Sequence, residues 1–381
     1  NTVGSRSVAI GANALLRQNP ASAADMHNVA IGHNTGENVS TGKFNTLVGS
    51  LSGDALTTGT QNIAIGYAAL GSDTKGQKSV AIGESALLVQ NFTTATDVFN
   101  VAVGDNAGES LTTGTQNTYI GGLAGDAQTD ADKNVAVGYA ALSGDTVGSK
   151  STAIGYAALV AQNPASATDM HNTAVGHLAG TQISTGTKNT LTGSQAGDNI
   201  TTGSKNTFYG YDINASAVDV SNEIFIGHSG TGGGANTVKI GTDGGVAILN
   251  LDGSDTSWAA SSDERLKTEI TDSTAGLSFI KDLRPVTFKW NSKDAIDSNL
   301  PQYDADSSDP VYGTGKTNHG FIAQEVKSAI DNHSEIKNGN NIWSQDPDGT
   351  QQLAPSALVP MLVKAIQEQQ AIIESLTTRI T

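Results

Sequence analysis

Gln18–His33 reads QNPASAADMHNVAIGH, and Gln162–His177 reads QNPASATDMHNTAVGH. Each copy closes on the motif that decides the fold, Asn/Ser-x-Ala-Ile/Val-Gly. The motif reads SVAIG at Ser7–Gly11, NVAIG at Asn28–Gly32, NIAIG at Asn62–Gly66, NVAVG at Asn134–Gly138 and STAIG at Ser151–Gly155. Weaker copies are NTLTG at Asn189–Gly193 and NTFYG at Asn206–Gly210. The closing glycines fall at 11, 32, 49, 66, 83, 104, 121, 138, 155, 176, 193, 210, 227 and 241. Their steps are 21, 17, 17, 17, repeated three times, then 14, so every fourth coil carries four extra residues and a super-repeat of 72 results.

A fixed period of this length signals stacked identical units. Each motif predicts a short strand, with Val8 and Ile10 on one face and Ala9 on the other. The closing Gly permits a tight turn that a Cβ resists. The segment that follows, such as Tyr67-Ala68-Ala69-Leu70, predicts a second inward-facing stretch, and TTGTQN and STGTKN predict polar turns. One such coil buries too little to stand alone, and fourteen stacked at strand spacing make a rod of roughly 65 Å.

Composition agrees. The chain has 381 residues with 44 Gly, 5% aromatics and 15% charged residues, a balance of ordered repetition rather than of an enzyme core or an acidic tail. Net charge is −16, and both halves about Ser261 are acidic, so no basic stripe exists to neutralise phosphates and nucleic acid is not an expected partner. Cysteine is absent, which excludes disulfides and thiolate metal sites. No signal peptide or run of about 18 apolar residues appears, so membrane insertion is not expected. Asn1 is expected to be a processed end or a fragment boundary.

The motif coils resemble the head repeats of trimeric autotransporter adhesins, whose NTAIG-like coils form a left-handed parallel β-roll. The resemblance covers about residues 1–245 and implies a homotrimer with three rolls side by side; a monomeric β-solenoid is the alternative. His27 and His33 recur as His171 and His177 in the 21-residue coils. The His-x5-His spacing is compatible with two imidazoles on one trimer face, and equally with copies carried along in a longer surface loop. No metal and no cofactor is expected.

The pattern ends near Gly245, and residues 246–261 read as a strand and a linker. Only six of the 44 glycines lie beyond Ser261. Residues 262–381 read as a small α+β domain. It holds SDERLK at Ser262–Lys267, HGFIAQEV at His319–Val326 and ALVPMLVKAIQEQQ at Ala357–Gln370. These three segments resemble the intramolecular chaperone domain that ends phage endosialidase tailspikes, tail fibres and neck appendages; myelin regulatory factor carries a related domain.

A serine hydroxyl attacks a carbonyl only when a base takes its proton, and lysine serves once burial or a nearby cation lowers its pKa. Ser262 and Lys267 are five apart, which does not align them on a helix face. The resemblance implies cleavage just before the motif serine, the Ser261–Ser262 bond, in the assembled trimer. It implies Ser262 as nucleophile and Lys267 as base, with Asp263 and Arg265 in support. Read alone, SDERLK also fits a helix N-terminus capped by Ser or Asp. His319, Gln324 and Glu325 suit packing as well as catalysis.

Over about 356–381 a helix is predicted. Val359, Leu362, Ile366, Gln369, Ile373, Leu376 and Ile380 form a heptad seam. Ile at a with Leu at d by itself favours two strands, so the trimer is what the resemblance implies. The expected fold is therefore a trimeric parallel β-roll or β-solenoid of 17–21-residue coils, followed by an α+β chaperone domain ending in a coiled-coil helix. The expected function is a structural or receptor-binding segment of a phage tail fibre in the virion, with a host glycan or protein receptor as partner. The alternatives are a bacterial surface adhesin carrying the same end domain and a glycan-degrading tailspike. No paired carboxylates stand out for glycan hydrolysis.

Overall fold

A computed structural model describes residues 3–242, 245–251, 259–260, 264–300, 302–313, 315–337, 339–346 and 349–380. The chain forms two compact units, Asn1–Ser262 and Asp263–Thr381.

Among the described residues of the first unit, fourteen motif strands from Val8–Ile10 to Thr237–Thr242 stack in parallel as one sheet of a β-solenoid. The register is one-to-one: Ala30 opposes Leu47, Leu47 opposes Ala64, and Ala64 opposes Ala81. From the second coil on, the middle residue of each three-residue strand points inward and is fully buried, as at Ala30, Ala64, Ala102 and Ala153. The flanking Val and Ile residues point out. Beyond the last parallel strand, Gly245–Asn250 runs antiparallel to Thr237–Thr242, and Ala259–Ala260 pairs with it in turn.

Each motif strand up to Glu223–His228 is bounded by corners in the left-handed region. The residue before the motif Asn is one, as at Lys133 (φ 60) and His171 (φ 53). The second residue after the closing Gly is the other, as at Ala140 (φ 55) and Leu178 (φ 57). The closing Gly lies between strand and corner, where coils touch backbone to backbone. A Cβ on Gly66 would lie 2.2 Å from the carbonyl oxygen of Gly83. That is why this position does not drift with the rest of the motif.

The motif Asn points into the solenoid, where its amide serves the backbone on both sides. Asn62 donates from Nδ2 to Gly76 O at 2.9 Å, and its Oδ1 accepts the Ser79 N–H at 2.9 Å. Interior backbone groups must be paired, and this ladder pairs the turn carbonyls and strand N–H groups that the coil-to-coil bonds leave over. Where Ser replaces Asn, at Ser7, Ser79 and Ser151, a buried Gln eleven residues on completes the network. Gln90 donates to Ser79 Oγ and accepts from Asn100 Nδ2 at 2.9 Å; Gln162 does the same for Ser151 and Asn172.

The 72-residue super-repeat is also a code of side-chain volume. Most inward strand positions hold Ala, and the coil corner opposite holds a buried Leu, as at Leu70, Leu87, Leu142 and Leu159. At Leu47, Tyr119 and Leu191 the strand residue is large instead, and the corners around it are glycines. A Cβ on Gly53 would meet Leu47 Cδ2 at 2.8 Å, and one on Gly125 would meet Tyr119 Cε1 at 2.5 Å. Near-constant filling of the interior explains why the pattern recurs at 72 rather than at 17.

The longer surface loops that the sequence suggests for the 21-residue coils are exposed only in part. Their tips are exposed, including Thr93, Thr94 and Ala95. Their roots are not: Phe92 and Val98 are buried, as are Pro164 and Met170 in the later copy. Each insert adds a two-residue parallel bridge, Gly76–Gln77 with Thr96–Asp97 and Gly148–Ser149 with Thr168–Asp169. A cation on the preceding coil ties it down: Arg6 to Asp25 at 3.3 Å, Lys78 to Asp97 at 2.6 Å, and Lys150 to Asp169.

The second unit is α+β. Helix α1 (Leu277–Asp282) leads to the strand Val286–Phe288, which pairs antiparallel with Asn318–Gly320. Helix α2 (Ala323–Asn332) follows, then a hairpin of Trp343–Gln345 with Gln351–Leu353, and helix α3 (Val359–Ile380). The core is built from Phe279, Val326, Ala329, Ile330, Ile336, Ile342 and Leu358. Val326, Ala329 and Ile330 sit at the i, i+3, i+4 spacing that puts one apolar stripe of α2 inward.

Candidate functional site

The SDERLK segment opens the second unit. Glu264–Leu266 form a single 3-10 turn, and the Lys267 N–H donates to Glu264 O at 3.0 Å. The helix-start reading of this segment therefore does not hold beyond that turn. The Arg265 and Lys267 side chains are exposed. Ser261, Ser262 and Asp263, the two residues of the expected cleavage site and one expected supporting residue, lie outside the described residues.

HGFIAQEV folds as expected, as a strand running into a helix. His319 is exposed on the strand, opposite Thr287. Glu325, in the first turn of α2, makes a two-pronged ion pair with Arg284. Arg284 Nε donates to one carboxylate oxygen at 3.0 Å and the terminal nitrogen to the other. Arg284 holds the Glu325 carboxyl below its usual range. The pair clamps the strand entrance to α2, so Glu325 is a fastening.

A second polar cluster was not foreseen. His333, at the C-terminal end of α2, lies between two carboxylates: its Nε2 is 2.9 Å from Asp282 Oδ2 and its Nδ1 is 3.0 Å from Glu335 Oε1. The ring packs edge-on against Phe279 at 5.5 Å. Hydrogen bonding to Asp282, then to Glu335, raises the imidazole pKa above its usual value. Asp282 lies 51 residues from His333, so no local spacing announces the pairing. Among the described residues, no group of three or more His, Cys, Asp or Glu side chains is placed to hold a metal, and no helix is long and apolar enough to cross a membrane.

Each unit also carries an apolar surface that its own chain leaves open. On the solenoid it is the outward face of the motif strands, where Ile31, Ile63, Ile65, Ile120, Ile154 and Ile226 are exposed. On α3 it is the heptad seam. Val359, Leu362, Ile366, Ile373, Leu376 and Ile380 are exposed, whereas Ala365 is buried and Glu368 accepts the Leu277 N–H at 2.7 Å. The helix thus leans on α1 with a different face from the one that carries the heptads. Contiguous apolar surfaces of this extent mark association sites.

No curated protein and no solved structure matches the chain. Residues 262–335, which hold both SDERLK and HGFIAQEV, match the model of a peptidase family described as chaperone of endosialidase, and that family implies an autoproteolytic chaperone activity. A β-solenoid followed by this segment fits the architecture of a tail fibre with an endosialidase-type chaperone at its C-terminal end.

Proposed function

We propose that the chain is a homotrimeric stalk or receptor-binding segment of a phage tail fibre. Its second unit drives assembly and then releases itself by one cleavage per chain at Ser261–Ser262. The observation that carries the reading is the family match, which begins at Ser262, where the repeat composition gives way. Two open apolar surfaces, one on each unit, support self-association. A parallel stack of coils forms by non-local pairing, which is slow and open to misregister. An end domain that gathers three chains raises their effective concentration, and its removal makes unfolding hard to reverse.

In the chemistry proposed, Ser262 Oγ attacks the Ser261 carbonyl carbon while Lys267 Nζ takes the hydroxyl proton. The proton passes to the leaving amine of Ser262, and the ester formed on the serine oxygen is hydrolysed by water. Lys267 is exposed in the single chain. Burial or a nearby cation is what makes lysine a base. Neighbouring chains supply the covering and Arg265 the charge, which ties cleavage to assembly.

Full-length protein, followed on denaturing gels with native mass measured in parallel, should assemble as three chains and split. N-terminal sequencing of the smaller fragment should read Ser-Asp-Glu-Arg. Ser262→Ala and Lys267→Ala should each assemble uncut, and Arg265→Ala should cut slowly. A fragment beginning Ser-Ser-Asp moves the nucleophile to Ser261. Rapid cutting of Lys267→Ala removes the dyad, and an intact wild-type trimer makes the unit a retained cap.

A further inference from the structure

The outward face of the motif sheet has two edges, and they differ in chemistry. One edge is the corner residue before each motif Asn or Ser; the other is the residue after each closing Gly. Where the first edge carries lysine, the second carries an acceptor on the same coil: Lys78 with Glu84, Lys133 with Tyr139, Lys150 with Tyr156, Lys188 with Ser194, and Lys205 with Tyr211. Within one chain the members of a pair are separated by five residues, with the motif strand between them, and so lie at its opposite ends. Lys78 and Lys150 are held on their edge by Asp97 and Asp169. On the other edge Tyr139, Tyr156 and His177 form a stack with centroids 5.8 and 5.3 Å apart. The stack occupies ring faces and leaves the exposed rims and phenol oxygens to a neighbour.

We infer that in the assembled stalk the lysine edge of each chain lies along the tyrosine edge of the next, coil for coil, with the isoleucine stripe between them facing inward. This rests on the homotrimer proposed above and goes beyond it by assigning which columns meet. In a ring of parallel chains at one height, contacts are heterologous, so one edge of a chain necessarily meets the opposite edge of its neighbour. That arrangement keeps lysine columns apart and gives each ammonium a phenol oxygen, a carboxylate or, at Ser194, a hydroxyl to donate to. It also accounts for the His-x5-His spacing. His27 and His33, like His171 and His177, sit on opposite edges within one chain and become neighbours between chains.

The protein has no cysteine, so cysteine cross-linking has no background. Lys150→Cys/Tyr156→Cys full-length protein, treated with a short bis-maleimide, should give covalently linked trimers on a denaturing gel. Either single variant should give none, and Lys133→Cys/Tyr139→Cys should repeat the result if the first pair disturbs folding. A three-chain native mass without linkage in either double variant overturns the edge assignment and leaves the trimer standing. So does a three-chain mass in which Lys150→Cys links alone. A single-chain native mass removes the trimer and the edge pairing together.

Discussion

Asn189 Oδ1 accepts the backbone N–H of Asn206, one coil later, at 3.0 Å, and the Asn206 side-chain amide approaches the same oxygen at 3.1 Å. Asn189 Nδ2 donates to Gly203 O at 2.9 Å. Asn189→Ala strips both partners from buried backbone, which should cost about 2 to 4 kcal/mol. Hydrogen exchange at the Asn206 amide should accelerate sharply while coils far along the stack stay protected. Unchanged exchange there would mean that water replaces the ladder at no cost.

The volume code predicts a rescue. Leu47→Ala should cost about 3 kcal/mol by opening a cavity, and Gly53→Leu alone should also destabilise, by collision with Leu47. Together they reproduce the Ala-in-strand, Leu-in-corner arrangement of the next coil, where Leu70 already adopts the required left-handed conformation (φ 53). The double variant should therefore recover more than half of the loss in denaturant midpoint. Additive losses would refute complementary filling.

The inserts should split into root and tip. Phe92→Ala removes a buried ring and should cost about 3 kcal/mol, whereas Thr94→Ala, at an exposed tip, should stay within about 0.5 kcal/mol. Removing all four extra residues while sparing stability, as a pure loop would allow, is not expected. A neutral Phe92→Ala would return the whole insert to the surface.

The His333 cluster sets a pH dependence. Its folded-state pKa is raised, so the protonated imidazole stabilises the second unit below the usual imidazole pKa, about 6.5. That contribution is lost as pH rises through the raised folded value. Urea midpoints followed by Trp290 and Trp343 fluorescence should fall from about pH 6 upward, and His333→Gln should flatten the slope. A wild-type midpoint that climbs across this window would contradict the linkage.

Much of the solenoid was legible because its signal is repeated. Glycine spacing alone marked all fourteen coils, and alternation placed Ala on one face of each strand and Val or Ile on the other, while burial in the stack shows that the Ala face is the inner one. The reason for the 72-residue period was hidden, since it depends on which side chains meet across the interior, as Tyr119 meets the space left by Gly108 and Gly125. In the second unit the strand and helix of HGFIAQEV could be read locally. The Arg284–Glu325 clamp and the Asp282–His333–Glu335 cluster could not, because they join residues far apart in the chain. The heptads of α3 were visible as a pattern, but which face packs on α1 depends on Ala365 and Glu368, positions outside that pattern.

The volume code also dictates how such a stalk can change length. Inserting one 17-residue alanine-and-leucine coil beside Leu47, Tyr119 or Leu191 would set a large strand residue against a corner leucine in place of a glycine. Inserting 72 residues restores every pairing: large residue to glycine, Ser to its Gln, lysine to the aspartate of the next insert. The stalk should therefore lengthen in quanta of four coils, about 19 Å each, so related fibres that differ in reach should differ by whole super-repeats.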